Sequence, residues 1–304
     1  MPPIEVIINA GGGSFVEDET EQLLTDQFGE HGVDANIHLA KTGAELESLT
    51  RSAIDGDANI IVVGGGDGTI NTVAAEVYKA DKTLGVLPLG TLNHFSKDLG
   101  IPQDVATAIR VIADNHTQNI DLGEVNGRIF INNSSIGLYP RIVRHREVQQ
   151  ERLGRGKWSA ALIAALRVFR LNPFFRIGFA LNGREFVRKT PFVFIGNNEY
   201  EMDFYNIGTR TRLDGGRLSV YFLHHGGRWG VVRLLIRTVF GMLRQTKEFE
   251  TLDTDEIIIS MRKKFIMVAI DGEVSLMETP LTYRILRGVL KVIVPKPENA
   301  RDNA

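Results

Sequence analysis

The chain has 304 residues, of which 43% are hydrophobic and 24% are charged, with a net charge of −2 and no cysteine. This length can bury one large core or two ordinary ones, and the composition is that of a soluble globular protein. The lack of cysteine excludes disulfide bonds and fits a reducing compartment. No basic and then apolar leader precedes the first strand pattern, so the sequence predicts a cytoplasmic protein.

The small net charge hides an uneven distribution. Residues 1–40 contain eight acidic residues and no lysine or arginine, whereas residues 141–176 contain nine basic residues and two acidic ones. A basic region of this kind favours an anionic partner, for which membrane lipid and nucleic acid are the two candidates.

The first part of the chain alternates between strand and helix patterns. Ile4 to Ile8 is a short apolar strand, and a glycine turn from Asn9 to Ser14 leads into a polar helix from about Glu17 to His31. Ala35 to Leu39 is the next strand, and a helix follows it to about Asp55. Thr42 stands where a hydroxyl N-cap for that helix would lie.

The strongest signal runs from Ile60 to Asn71, where four β-forming residues end in Gly64-Gly65-Gly66-Asp67-Gly68-Thr69 and a helical pattern follows. Glycine lets backbone N–H groups turn towards a ligand, and a helix N-terminus adds unpaired donors, so this junction favours phosphate. A carboxylate at this point would repel phosphate, which indicates that Asp67 binds Mg²⁺ or fixes the loop. The simpler alternative is a glycine turn with Asp67 as an N-cap.

A fourth strand, Leu84 to Leu87, runs into Pro88-Leu89-Gly90-Thr91-Leu92-Asn93-His94-Phe95. A helix from Val105 to Ala113 follows, and Asn126-Gly127 is a strong hairpin signal. His94 has no second histidine in a recognisable pattern, so we expect it to be structural.

The pattern then changes to short strands, and Asn182-Gly183 predicts a further hairpin. The predicted strands are Arg176 to Leu181, Glu185 to Lys189, Pro191 to Gly196, Leu218 to Phe222, Glu256 to Met261, Phe265 to Ile270, Leu281 to Ile285 and Leu290 to Val294. An α/β domain followed by an all-β domain is the simplest account, with a boundary near residues 122–127.

Two segments in the second part have helical and basic character, Trp158 to Phe175 and Trp229 to Met242. Both are too short and too charged to span a bilayer. They fit either core helices whose arginine heads reach solvent or helices that lie on an anionic membrane surface.

The motif Gly65-Gly66-Asp67-Gly68-Thr69 resembles the nucleotide motif of the diacylglycerol kinase catalytic superfamily, which includes bacterial lipid kinases. NAD kinases share a similar motif, but the segment from Pro88 to Asn93 is similar to the Pro-x-Gly-Thr-x-Asn of the lipid kinases. The resemblance implies an α/β nucleotide-binding domain over residues 1–124 and a mainly β, sandwich-like domain over residues 125–304. It also implies an active site in the interdomain cleft, and we expect the last residues to pack back on the first domain.

The resemblance also implies a mechanism, in which the γ-phosphate of ATP passes to a hydroxyl of diacylglycerol or a related lipid alcohol. Asp271-Gly272-Glu273 matches the family's Asp-Gly-Glu, which makes Glu273 the general base, with Asp67 as the second catalytic residue. Mg²⁺ would be held by Asp67 with Asp121 and Asp271. The implied nucleotide-binding residues are Asn9, Thr42, Gly64, Gly65, Gly66, Gly68, Thr69, Thr91 and Asn93.

Two departures from the family pattern stand out. The first glycine turn lacks the family's proline and basic residue, and Gly215 occupies the position of an aspartate that holds a second, structural Mg²⁺ in relatives. Asp214, one residue earlier, is the candidate substitute, and we expect this site to be altered or absent.

Three other functions remain as alternatives: an NAD kinase, a nucleotide- and lipid-binding protein with little catalysis, and a nucleic-acid-binding protein. The nucleic-acid alternative rests only on the basic segments, since no recognisable nucleic-acid module accompanies them. As partners we therefore expect a lipid substrate and peripheral contact with the inner face of an anionic membrane, and no nucleic acid. A homodimer is considered because strand edges in the β domain need cover.

Overall fold

The structure, a computed structural model, describes residues 3–11, 17–137, 174–181, 183–203, 206–210, 212–223 and 249–297. The helices are α1 (Glu17–Glu30), α2 (Gly43–Asp55), α3 (Asp67–Lys79), α4 (His94–Asp98) and α5 (Val105–Asp114). The strands are β1 (Ile4–Asn9), β2 (Ala35–Ala40), β3 (Ile60–Gly65), β4 (Thr83–Pro88), β5 (Thr117–Val125), β6 (Arg128–Phe130), β7 (Asn133–Gly137), β8 (Phe175–Leu181), β9 (Arg184–Thr190), β10 (Phe192–Asn197), β11 (Tyr200–Asp203), β12 (Asn206–Arg210), β13 (Leu218–Leu223), β14 (Phe249–Thr254), β15 (Glu256–Ser260), β16 (Phe265–Ile270), β17 (Glu273–Glu278) and β18 (Leu281–Ile293).

The chain forms two compact units. The first runs through Leu122 and also takes in Arg212–Asp214 and the chain from Leu286 onward, and the second contains the rest. The division after Leu122 falls in β5.

The first unit is built on parallel strands in the order β2-β1-β3-β4, with the last part of β18 parallel to β4. Of these strands, β1, β3 and β4 are largely buried and apolar, as expected for a sheet covered on both faces, whereas the edge strand β2 is only partly buried. The chain moves from β1 to β2 in one direction and from β3 to β4 in the other. Right-handed crossovers therefore place α1 on one face and α2 and α3 on the other, and α2 does pack with α3.

The second unit is a β-sandwich. One layer contains β9, β8, β15 and the first part of β18, and the other has the order β14-β13-β10-β7-β16-β17. Their inner side chains form one apolar core, in which Phe179 stacks on Phe186 and Phe222 with ring centroids 5.3 and 5.2 Å apart. The predicted fold class, an α/β domain followed by a mainly β sandwich, is confirmed.

Both predicted hairpins form. At the first, Asn126 and Gly127 have φ of 46° and 82° and connect β5 to β6, as a type I′ turn requires. At the second, Leu181 pairs with Arg184 across the turn that contains Gly183.

One strand expectation is wrong. Leu281 to Ile285 and Leu290 to Val294 are parts of a single strand, because Gly288 adopts a φ of 58° that lets the chain bend and continue instead of turning back. Sequence reasoning also missed β7, β11, β12, β14, β17 and the short helix α4. The two basic helical segments lie outside the described residues, apart from Phe174 and Phe175, of which Phe175 begins β8.

Candidate functional site

The predicted nucleotide residues lie where the parallel strands of the first unit end. Asn9 ends β1, Thr42 follows β2, Gly64 and Gly65 end β3, and the segment after Pro88 follows β4. Because the chain leaves β1 and β3 in opposite directions, the gap between these two strands is the switch point of the sheet, where open α/β sheets bind ligands.

A hydrogen bond spans this switch point. The side-chain amide of Asn9 donates to Thr69 Oγ1 at 2.7 Å, and Asn9 Oδ1 accepts from the backbone N–H of Gly11 at 3.1 Å. Asn9 therefore connects the first glycine turn to the first turn of α3, although 60 residues separate it from Thr69.

The glycine loop after β3 approaches the backbone of the loop after β4 closely at Gly66 and Gly90. A Cβ atom on Gly90 would lie 2.4 Å from Gly66 Cα, and one on Gly64 would lie 2.4 Å from Ile8 Cδ1. Glycine is therefore required at position 90 for the two loops to approach. Gly66 is the N-cap of α3 and offers no side-chain acceptor, so the N–H groups of the first turn are left for a ligand.

Asp67 joins the same two loops. Its carboxylate accepts the backbone N–H groups of His94 at 3.2 Å and Phe95 at 3.0 Å, so it caps α4, a helix 27 residues away in sequence. The alternative that Asp67 is an N-cap of its own helix is wrong, because Gly66 holds that position and Asp67 is the first helical residue. A role in fixing the loop is what the structure shows.

The other three predicted nucleotide residues differ in exposure. Thr42 is the N-cap of α2 and accepts Glu45 N–H at 3.2 Å, which confirms the capping role predicted for it. Thr91 is exposed, whereas Asn93 is buried in a left-handed conformation with a φ of 52°. The Asn93 amide donates to Pro88 O and Gln103 Oε1, and its own buried oxygen has no partner among the described residues.

In the second unit, Asp271 and Gly272 form the turn between β16 and β17, with φ of 46° and 90°. This is the type I′ geometry for which Asp-Gly is favoured. Glu273 begins β17, pairs with Ile270 across the turn and is exposed. Within the residues that the structure covers, its carboxylate forms no hydrogen bond, so it is available to accept a proton.

The Asp271 carboxylate holds this turn against the segment before β7. It accepts the backbone N–H groups of Ile131, Asn132 and Asn133 at 2.8 to 2.9 Å. The buried Arg210 supports the same segment, since its guanidinium donates to Ile131 O and to Asn132 Oδ1.

Burial raises the pKa of Asp271 from 3.8 to about 6. The three N–H donors and the charge of Arg210 act in the opposite direction, because they favour the ionised carboxylate. The titration of this buried group therefore falls close to the physiological range.

The four aspartates predicted to hold Mg²⁺ do not form a ligand cluster. Asp121 accepts Gly288 N–H at 2.8 Å, Asp214 pairs with Arg212 Nε at 3.0 Å, and the carboxylate of Asp271 is occupied by its three backbone donors. Nowhere in the described ranges do three acidic or histidine side chains meet as a metal site would require. A preformed cluster of Asp67, Asp121 and Asp271 is therefore not seen in the described residues, and the assignment of these three, and of Asp214 to a second site, stays a prediction.

The residues do fit a metal that arrives with a nucleotide. Mg²⁺ keeps several waters and usually takes only one or two carboxylates in addition to phosphate oxygens. Each Asp67 oxygen accepts a single N–H, which leaves lone pairs for one such ligand.

The position of Gly215 has a structural explanation. A Cβ atom there would lie 2.8 Å from Asn198 Oδ1, so the Asn198 side chain occupies the space that an aspartate would need. Asn198 is 1% exposed and its Oδ1 has no partner in the described part of the chain. Asp214 points to Arg212 instead, and it does not replace the missing carboxylate.

Sequence reasoning missed two residues that support the site. Gln103 donates to Ser96 Oγ and Ile101 O and accepts from Asn93, which ties α4 to the segment that follows it. Arg210 supports the Asp271 turn from 61 residues away in sequence, and a lone arginine in a polar stretch gives no local signal of this role.

Taken together, the α/β unit with glycine loops at its switch point and the β-sandwich unit define a two-domain fold. The family model described as the diacylglycerol kinase catalytic domain matches residues 3–125, and the YegS C-terminal NAD kinase beta sandwich-like domain matches residues 134–294. The chain therefore belongs to the diacylglycerol kinase catalytic superfamily.

Individual relatives agree with this assignment. A diacylglycerol kinase from Staphylococcus haemolyticus is 40% identical over 129 residues, which are 42% of this chain and 39% of the relative. A probable YegS-like lipid kinase from Klebsiella pneumoniae is 34% identical over 146 residues, 47% of this chain and 48% of the relative. The matched regions span less than half the length of these two relatives.

The fold also matches solved structures. A diacylglycerol kinase structure from Bacillus anthracis aligns with a TM-score of 0.68 over 97% of both chains at 22% sequence identity. At this identity the likeness concerns the fold. None of the helices in the described ranges is long and apolar enough to cross a bilayer.

Replacement of Gly90 by alanine tests the contact between the two loops. The new Cβ would collide with the Gly66 backbone, so we expect Gly90→Ala to lower the free energy of unfolding by about 1–3 kcal/mol. Gly29→Ala is the matched control, because nothing lies within 4 Å of a Cβ there and alanine favours the helix by up to about 1 kcal/mol. Urea unfolding of wild type and both variants measures these free energies. A Gly90→Ala protein as stable as wild type would contradict the close contact between the two loops.

The capping of α4 by Asp67 predicts that substitutions of Asp67 lower the free energy of unfolding. Asp67→Ala removes both acceptors and should cost about 1 kcal/mol of unfolding free energy. Asp67→Asn keeps one oxygen for Phe95 N–H and should cost less. The same urea titration compares the three proteins, and a wild-type midpoint for Asp67→Ala would exclude the capping role.

Asp271 predicts a pH dependence with a defined sign. Its folded pKa lies above the unfolded value, so the native state binds the proton more tightly between about pH 4 and pH 6. The stability of wild type relative to Asp271→Asn should therefore be greatest below pH 4. It should fall, by on the order of 2–3 kcal/mol, as the pH rises through 6. Chemical unfolding across this range measures it, and a relative stability that rises with pH would show that the three N–H donors outweigh burial.

Proposed function

We propose that this protein is an ATP-dependent lipid kinase, which transfers the γ-phosphate of ATP to a hydroxyl of diacylglycerol or a related lipid alcohol. The observation that carries the proposal is the pair of family matches, which together cover most of the chain in the order that the family has them. The names of the relatives, diacylglycerol kinase and lipid kinase, support a lipid acceptor.

The first unit would hold the nucleotide. The backbone donors of Gly64, Gly65, Gly66 and Gly68 and the first turn of α3 would bind the phosphates, and in the described part of the chain no side chain caps that helix. Asn9, Thr42, Thr69, Thr91 and Asn93 would complete the site, and the bond between Asn9 and Thr69 supports a shared position for two of them.

Glu273 would act as the general base. Its carboxylate would accept the proton of the lipid hydroxyl while that oxygen forms a bond to the γ-phosphorus. The bond between the γ-phosphorus and the bridging oxygen then breaks, and ADP leaves with the electron pair. The role of Asp271 in this proposal is to hold the turn that presents Glu273, through its three backbone hydrogen bonds.

Mg²⁺ would enter with ATP and offset the negative charge of the phosphates, with Asp67 as the protein ligand best placed to hold it. Asp67 would then have two roles, because its carboxylate also caps α4.

A binding protein with little catalysis is the second candidate, and Gly215 is the observation that favours it. The family resemblance implies an aspartate for the structural metal site at position 215, where this chain has a glycine packed beside Asn198. Phosphate transfer separates the two candidates, because a binding protein would retain ATP and lipid without product.

The substitution Glu273→Gln tests the proposed base. It should lower phosphate transfer from labelled ATP to lipid alcohols in mixed micelles by roughly 10²- to 10⁴-fold, while ATP affinity stays unchanged. Glu256→Gln is the matched control, since Glu256 is also an exposed glutamate that begins a strand of the same unit.

Three results would contradict parts of the proposal in different ways. Full activity of Glu273→Gln would remove Glu273 from the mechanism, while the lipid kinase assignment would stand. An absence of transfer to any lipid by the wild-type protein, with ATP still bound, would favour the binding protein. Label that appears in NAD instead of lipid would favour an NAD kinase.

A further inference from the structure

One surface of the second unit combines positive charge with exposed apolar side chains. We call it the basic hairpin face, and it consists of Arg262, Lys263, Lys264, Phe265 and Leu276. All five are exposed, Phe265 by 49% and Leu276 by 63%. Exposed apolar side chains that adjoin one another mark a contact surface more often than scattered ones do.

The loop that carries the charges is held in place. Arg262, Lys263 and Lys264 lie in the connection from β15 to β16. Thr279 fixes this connection from the neighbouring strand end, because its hydroxyl donates to Lys263 O at 2.8 Å and its backbone N–H donates to Lys264 O at 2.9 Å. The three basic side chains therefore extend from an anchored backbone.

The apolar members share one side of the hairpin formed by β16 and β17. Leu276 pairs in register with Met267, and Phe265 lies two residues before Met267, so all three point to the same face. The opposite face carries Ile266, Val268 and Met277, which are part of the sandwich core. Phe265 and Leu276 therefore do not pack in the core of the sandwich.

The charge of this face is largely uncompensated. In the described ranges, Arg262 and Lys263 have no ion-pair partner, and Lys264 lies 3.4 Å from Glu278 in an exposed pair. Arg176 pairs in register with Lys189, two residues before the Gly178 that pairs with Ser260. These two basic residues therefore lie at the same end of the sandwich as Arg262.

We propose that the basic hairpin face docks the protein on an anionic phospholipid bilayer. Lysine and arginine beside an anionic surface each strengthen binding by about fivefold, and aromatic and aliphatic side chains enter the boundary between headgroups and acyl chains. This contact goes beyond the proposed function, because Phe265 pairs with Glu278 at the end of the β16–β17 hairpin opposite the turn beside Glu273, and the binding itself does not depend on catalysis.

Vesicle sedimentation with the full-length protein tests the proposal. Wild type should bind vesicles of phosphatidylcholine mixed with phosphatidylglycerol and should bind pure phosphatidylcholine poorly. Replacement of Arg262, Lys263 and Lys264 by alanine should weaken anionic binding at least tenfold, even if the charges are not additive. Replacement of Phe265 and Leu276 by serine should also weaken it.

Two matched variants control for general effects. Alanine at Arg51, Lys79 and Arg110 removes three exposed basic residues from the helices of the first unit, and Leu23→Ser removes an apolar side chain that is 57% exposed. Both controls should bind anionic vesicles like wild type. Far-UV circular dichroism shows whether each variant is folded.

The outcomes separate this proposal from the proposed function. Unchanged vesicle binding by the Arg262, Lys263 and Lys264 variant, or equal losses in the controls, would overturn the docking face. The docking face would also be overturned if the wild-type protein were a dimer in vesicle-free solution and the Phe265 and Leu276 variant were a monomer. That result would indicate that the face binds a second copy of the chain. Vesicle binding that depends on this face, without phosphate transfer to any lipid, would support docking while the kinase proposal fails.

Discussion

The close approach of Gly66 and Gly90 is the constraint on which the geometry of the first unit depends. Two loops that follow neighbouring parallel strands meet through backbone, with no side chain between them. Asp67 then secures this contact, because its carboxylate holds the N–H groups that begin α4. The switch point of the sheet is thereby surrounded by main chain and short polar groups, which is the environment that phosphate oxygens require.

A comparable arrangement holds the turn that presents Glu273. Asp271 is buried among backbone donors, and Arg210 supports the same donors from the opposite side. Buried charges are costly unless they are paired and hydrogen-bonded, and here each has several partners. The sandwich therefore holds in place the turn that presents the exposed carboxylate of Glu273.

Local sequence signals predicted the parts of the fold that depend on neighbouring residues. The β-rich run before Gly64 and the Asn126-Gly127 pair determine their own conformations, so strand, loop and hairpin followed directly. Long-range contacts left no such trace. Nothing near Asp67 indicates that it caps a helix 27 residues away, and Gly288 looked like a strand end although the chain continues through it. The single strand β18 was missed for that reason.

The candidate site shows the same division. Glycine, asparagine and aspartate motifs could be placed at strand ends from their spacing, but the partners that each side chain selects arise from tertiary packing. Asp271 illustrates this, because a sequence motif suggested a metal ligand whereas three amides from before β7 occupy its carboxylate. The space at Gly215 likewise depends on Asn198, which no local pattern connects to it.

The path of β18 has a consequence for fragments of the protein. Its first residues pair with β15 in the sandwich, and Lys291 and Val292 pair with Thr83 and Leu84 of β4. A fragment that ended after the α/β segment would expose the edge of β4, which is buried along its whole length in the intact chain. The first unit is thus completed by the chain from Leu286 onward, so a fragment that lacked β18 would carry an open, aggregation-prone sheet.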